Sequence, residues 1–373
     1  MTDKAATEAA VAFAPDWVSP PGDTVLDLLE ERSWTQAQLA ERLGYSQKHV
    51  NQLIKGKVPL TEDAAIRLQN VLGAPVGFWL KREAQFRERA ALMDAANRYA
   101  SMVPWLEKMP VKELMDAGAI AKRRIDAKSK PSLVAELLAF FGVAAPDQWQ
   151  AHYGCMEVAF RRSRSDQSDI GAISAWLRMG ERVAEKVDGP RHDAGTLRQA
   201  LQEIRTFTTL PPQEFEPRLT RLLHEAGVTL VILPAIPRAH VSGVARWLNP
   251  HRALIQLSLY GKSNDRFWFT LFHEAAHILL HSKKSVFLDD PGQVSSDSAE
   301  EREANAWARD FLIPPAVAGG LVDLPKTKAA VRVLAHAVGV HPGIVVGRLQ
   351  HDKLIERAWM NDLKVSFQWK LPE

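Results

Sequence analysis

The sequence is short of the features that would place it outside an ordinary reducing interior. One cysteine in 373 residues, Cys155, excludes an intramolecular disulfide framework. No apolar run approaches the ~20 residues a membrane span needs. The first residues lack the basic start and apolar stretch of a secretory signal, so the expected compartment is the cytoplasm, with no membrane partner. Charge of one sign is also scarce: 47 Lys and Arg against 44 Asp and Glu leave +3, too little to mark a nucleic-acid binder by bulk charge. Any such function must rest on a local motif. What is present is a globular composition, 46% hydrophobic and 24% charged, in a chain long enough for at least two hydrophobic cores.

The chain reads as multidomain. Residues 1–20, small, polar and broken by Pro15, Pro20 and Pro21, form a flexible arm. Residues 21–89 carry short amphipathic segments with frequent caps, an all-α helix-turn-helix bundle, with a long linking helix after it. Residues 90–211 stay helical by periodicity and form a middle or linker region, with Leu133, Leu137, Leu138 and Phe141 on one segment and Ile173, Trp176 and Leu177 on another. Residues 212–350 change texture. A helix over Phe215–Glu225 is followed by strand-like runs at Val228–Leu233, Val241–Leu248 and Ala253–Leu259, the last two joined by hairpin residues Asn249, Pro250 and His251. Helices then run from Asn264–Asp265 through His281 and over Ser298–Ile313, stopping at Pro314–Pro315. The expected fold is α+β with a small antiparallel or mixed sheet beside paired helices, and 351–373 a C-terminal tail.

In the N-terminal segment, Thr35 to Ser46 runs as an amphipathic helix, a glycine at the turn (Gly44) and a serine placed to cap the next helix. There Val50, Leu53 and Ile54 face inward. Gln47, Lys48, Asn51, Gln52 and Lys55 are left outward, residue types that reach base edges and phosphates. A plain helical hairpin with a solvated polar face would not need turn, cap and outward chemistry to agree.

In the C-terminal segment the informative stretch is His273-Glu274-Ala275-Ala276-His277, inside strongly helical sequence. Residues four apart on a helix differ by about 40° and rise about 6 Å, so both imidazoles can converge on one metal ion. Glu274 can then take a proton from water as it attacks a carbonyl, the arrangement of metal-assisted peptide hydrolysis. An amphipathic helix with half-buried histidines could carry the same pattern. A third ligand strengthens the metal reading: Glu301, twenty-four residues after His277, lies in the next helix. It is preferred to Glu300 and Glu303 because Asn305, four residues on, shares its face and could orient a ligand imidazole. His281 repeats the four-residue step, but about 12 Å of helix axis separates it from His273, so it is read as supporting rather than ligating. Tyr260 and His281 are the candidates for a proton donor, and neither is counted as catalytic.

Two resemblances rest on these residues. His273 to His281, with Glu301-x-x-Ala304-Asn305-x-Trp307-Ala308 and Leu312-Ile313-Pro314, resembles the ImmA/IrrE zinc metallopeptidases over about Gly227–Leu349, including the strand Leu254–Ser258. It implies Zn2+ on His273, His277 and Glu301, Glu274 as general base, and a protein substrate of the repressor or antitoxin kind in stress, mobile-element or defence responses. Residues 20–90, with Gly56 to Thr61 and Leu72 to Leu80, resemble HigA/VapI-type regulators of the Xre family. They imply operator double-stranded DNA as partner and a symmetric homodimer. A competing reading is a non-proteolytic antitoxin-like repressor that uses the peptidase fold as sensor or interaction surface. Three further expectations are weaker: Cys155 as a latency ligand to zinc, Arg161-Arg162-Ser163-Arg164 as an anion contact, and strand Ala253–Leu259 as an edge to which substrate adds, testable by proline at Gln256.

Overall fold

The computed structural model describes residues 19–153, 169–259, 261–281, 287–289 and 299–369. Most of the expected arm, together with Cys155, Arg161, Arg162, Ser163, Arg164 and Tyr260, lies outside them. The chain divides into two units, up to residue 101 and from 102 onward.

The first unit is helical: α1 (Pro21–Glu31), α2 (Gln36–Leu43), α3 (Gln47–Ile54), α4 (Glu62–Leu72) and α5 (Val76–Ser101). Its punctuation follows the sequence. Thr35 and Gln38 make a reciprocal capping box at the start of α2, and Gly44 ends that helix at φ 72, a backbone state that favours glycine. Ser46 then caps α3 by accepting from the His49 amide at 3.2 Å. Val25, Leu39, Leu43, Val50, Leu53, Ile54, Leu68 and Trp79 form the core. The expected boundary at residue 89 falls inside α5, which runs unbroken to Ser101.

The second unit is built on a four-stranded mixed sheet, in the order β1 (Val228–Ile232), β3 (Arg252–Leu257), β2 (Gly243–Asn249), β4 (Phe287–Asp289). β2 and β3 form the expected antiparallel hairpin, while β1 lies parallel to β3. This order overturns the substrate-edge expectation for Ala253–Leu259. β3 has hydrogen-bonded neighbours on both sides, and Gln256 is fully buried, its amide donating to the Trp176 carbonyl at 2.7 Å. Proline there would break the sheet rather than probe a substrate.

Helices cover the sheet. α6 (Val111–Asp116), α7 (Lys130–Phe141) and α8 (Ile170–Ala184) come from the middle segment, followed by α9 (Ala194–Thr206) and α10 (Pro212–Glu225). α8 is no linker. Trp176 donates from its indole to the Leu233 carbonyl at 3.3 Å, and buried Arg246 of β2 donates to the Leu177 carbonyl at 2.7 Å and pairs with Glu181 at 3.3 Å. Leu197, Leu201, Ile204 and Phe207 around α9 belong to the same core as the sheet and the helices that follow it. Those are α11 (Asn264–Leu280), α12 (Ala299–Leu312), α13 (Lys328–Val338) and α14 (Pro342–His351).

The segment expected as a C-terminal tail closes this core. Ile355, Met360, Leu363 and Phe367 are buried in it, Ser366 bridges to Ser263, and the Val365 amide donates to Asn264 Oδ1 at 3.1 Å. Asn264 therefore serves as an anchor at the start of α11, while Ser263, the residue before the helix, makes no side-chain cap. Among the described residues no single helix is long and apolar enough to cross a membrane.

Candidate metal centre

α11 passes beneath the sheet with nearly all of its length buried, from Phe267 and Trp268 to Ile278. The apolar residues Leu271, Phe272, Ala275 and Ala276 fix its rotation by filling the core. His273 and His277 are thereby held one turn apart and almost completely buried. α12 packs against α11 and supplies Glu301 from its first turn.

The three side chains meet. His273 Nε2 and His277 Nε2 are 3.0 Å apart, and Glu301 places one oxygen 3.2 Å from the first and the other 3.3 Å from the second. Ligand atoms ~2.0–2.1 Å from a tetrahedral zinc would stand about 3.3 Å from one another. The spacing and the two-nitrogen, one-carboxylate donor set fit such an ion without rearrangement. These are also the described residues whose ligand atoms cluster closely enough to hold one.

The protonation states suit a cation as well. Burial pushes the His277 imidazole down to about 4, so it is neutral near pH 7 with a lone pair to give. Burial works in the opposite sense on Glu301, yet its hydrogen bonds with His273 and His277 outweigh it and hold the carboxylate at about 2. Glu274 is fully buried, and Gly243 at the start of β2 leaves space for it: a Cβ there would lie 2.8 Å from Glu274 Oε1 and 2.6 Å from Thr270 Cγ2.

Two further side chains, His281 and Glu303, form a chain of contacts running outward from His277. His281, just past the end of α11, places Nδ1 2.9 Å from His277 Nδ1 and Nε2 3.3 Å from a Glu303 oxygen. If His277 offers Nε2 to a metal, its Nδ1–H donates to His281 and the His281 Nε2–H donates to Glu303, so the chain fixes one tautomer throughout. Glu303 was weighed only as a metal ligand; its carboxylate serves His281 instead. Asn305 does not do what was expected of it. It is half-buried on α12, and among the described residues no hydrogen bond joins it to either imidazole.

In the first unit, Gln47, Lys48 and Lys55 are exposed and Asn51 and Gln52 half-buried along one side of α3, opposite buried Val50, Leu53 and Ile54. The outward set predicted from the sequence is therefore presented together on one helix face.

Comparisons agree with this division. Residues 25–79 match the helix-turn-helix family model, and residues 225–350 match that of the IrrE N-terminal-like domain. Among curated proteins nothing matches the chain. The buried His–His–Glu cluster lies within the second match and the α2–α3 pair within the first, so the chain carries one region similar to helix-turn-helix domains and one similar to the IrrE N-terminal-like domain.

Proposed function

We propose that this protein is a cytoplasmic, dimeric transcriptional regulator whose C-terminal domain is a zinc-dependent endopeptidase, cleaving a repressor or antitoxin-type protein. The observation that carries the reading is the convergence of His273, His277 and Glu301 at tetrahedral ligand spacing beside a buried Glu274. A sensor or interaction surface has no use for that carboxylate.

His273, His277 and Glu301 would hold the ion. When bound, zinc supplies a Lewis acid that polarises the scissile carbonyl and acidifies the attacking water. Glu274 takes the proton from that water and delivers it to the departing amine. His281 and Glu303 keep His277 in its ligating tautomer, and the buried surroundings strengthen each of these interactions by excluding bulk water.

Lys55 would bind backbone phosphate of operator DNA, and Gln47, Lys48, Asn51 and Gln52 would read base edges in the major groove, with dimer symmetry setting the half-site spacing. Incubating the zinc-loaded chain with a proteome-derived peptide mixture tests the peptidase part. New termini should appear with wild type and not with Glu274→Gln. Equal products from both proteins, or none from either, would overturn it.

A further inference from the structure

A concentration of charge lies outside both the metal centre and α3. The chain as a whole is balanced, 47 Lys and Arg against 44 Asp and Glu, yet residues 121–130 carry Lys122, Arg123, Arg124, Lys128 and Lys130 against Asp126 alone. This stretch leads into α7 of the second unit, and residues 121–128 are exposed without a break.

The carboxylates that could neutralise it hold its shape instead. Glu136, from within α7, accepts from the Ala121 amide at 2.9 Å and pairs with Arg123. Asp126 accepts from the Lys128 and Ser129 amides at 3.1 and 2.9 Å, and Ser129 Oγ donates back to the Arg124 carbonyl at 2.9 Å. Lys122 has only a loose pair with exposed Asp116 at 3.4 Å. Among the described residues the side chains of Arg124, Lys128 and Lys130 make no ion pair or hydrogen bond. Lys128 and Lys130 also stand at the N-terminus of α7, the end where the helix dipole disfavours positive charge. Folding gains nothing from cations placed there, and the helix end adds to their positive field. The result is a braced, exposed turn whose outward chemistry is almost all of one sign, complementary to a polyanion.

Resting on the DNA-binding reading of the first unit, we propose that residues 121–130 form a second, sequence-independent contact for double-stranded DNA, with Arg124, Lys128 and Lys130 on backbone phosphates. A turn already braced loses little freedom on binding. DNA held by α3 is also at raised local concentration for another site on the same chain. Phosphate contacts carry no sequence information, so this turn adds affinity and salt dependence without altering operator choice.

The test is fluorescence anisotropy of the full chain on a duplex of about 40 base pairs of arbitrary sequence, between about 50 and 200 mM salt. Combining Arg124→Gln, Lys128→Gln and Lys130→Gln should lower the slope of log affinity against log salt by about 2.7, three contacts at ~0.9 each. The urea midpoint should hold or rise, because the N-terminus of α7 is relieved of cations. Combining Arg332→Gln, Lys353→Gln and Arg357→Gln removes the same charge from exposed positions elsewhere in the unit and should leave the slope near wild type. A wild-type slope in the first triple variant, or an equal fall in the second, overturns the proposal; a fall with Lys55→Ala would then leave the DNA-binding reading standing. An intact slope with lost affinity for polyglutamate assigns the turn to an acidic protein segment and likewise overturns it. No DNA binding by wild type overturns both.

Discussion

Replacing Gly243 with alanine adds one methyl group at a close approach between β2 and α11, the helix that carries His273 and His277. That methyl carbon would stand 2.6 Å from Thr270 Cγ2, 2.8 Å from Glu274 Oε1 and 3.1 Å from Glu274 Cγ, where ordinary contact begins at 3.4 Å. Strand and helix must therefore separate, or the two side chains retreat, by about 0.6–0.8 Å. Retreat is difficult because Trp268, Leu271, Phe272 and Ala275 fill the same helix's surroundings completely. Overpacking of this kind costs about 1–3 kcal/mol. The displaced group is the proposed general base, and a shift approaching 1 Å in a reacting group lowers the rate by up to ~10²-fold. Urea unfolding of the zinc-loaded protein should show the stability loss, and peptide cleavage should fall roughly 10- to 100-fold. Zinc content should be retained, since His273, His277 and Glu301 are untouched. Unchanged stability together with unchanged cleavage would refute the packing of β2 on Glu274.

Acid should weaken the metal-free second unit through two groups acting in the same direction. His277 is lowered from 6.5 to about 4, so between those values the unfolded chain binds a proton that the folded one refuses; its contribution is full above 6.5 and lost as pH falls toward 4. Glu301, lowered from 4.5 to about 2, adds a loss that starts near 4.5. Urea midpoints should drop between pH 7 and pH 4.5, and a flat profile would contradict the burial argument. Arg246→Met removes a buried donor from the Leu177 carbonyl and from Glu181, and should cost about 2–3 kcal/mol, softened because Glu181 keeps Arg178 at 2.6 Å. Thermal melting measures it, and a neutral result would place the α8 contact elsewhere. In DNA binding, Lys55→Ala should weaken all sequences alike and reduce the salt slope by about 0.9. Lys48→Ala and Asn51→Ala should instead change the preferred sequence in a random-site selection, and an unaltered preference would move the reading surface off α3.

The parts that could be read from the chain beforehand were those set by local periodicity. A four-residue step fixes two histidines on one helix face, and a capping serine after a turn glycine marks α3. Such signals need no knowledge of distant partners. What escaped were pairings across sequence. Ala253–Leu259 was read as a sheet edge open to substrate, but its Gln256 amide meets the Trp176 carbonyl from the segment set aside as a middle or linker region. Val365 and Phe367 fell within the expected C-terminal tail, but Asn264 and the core give them partners. Asn305 shared the face of Glu301 as expected, yet helix-face geometry says nothing of reach. His277 is instead met by His281, where α11 ends and the chain turns away from the helix axis.

The measurement that bears most directly on the metal centre is zinc per chain by elemental analysis of untagged protein, alongside Glu301→Ala and Glu274→Gln. The geometry predicts about one zinc in wild type and in Glu274→Gln, and its loss in Glu301→Ala, because one side chain acts on the reactant and the other on the ion. Zinc retained by Glu301→Ala would contradict the ligand set, and no zinc in wild type after supplementation would contradict the metallopeptidase itself.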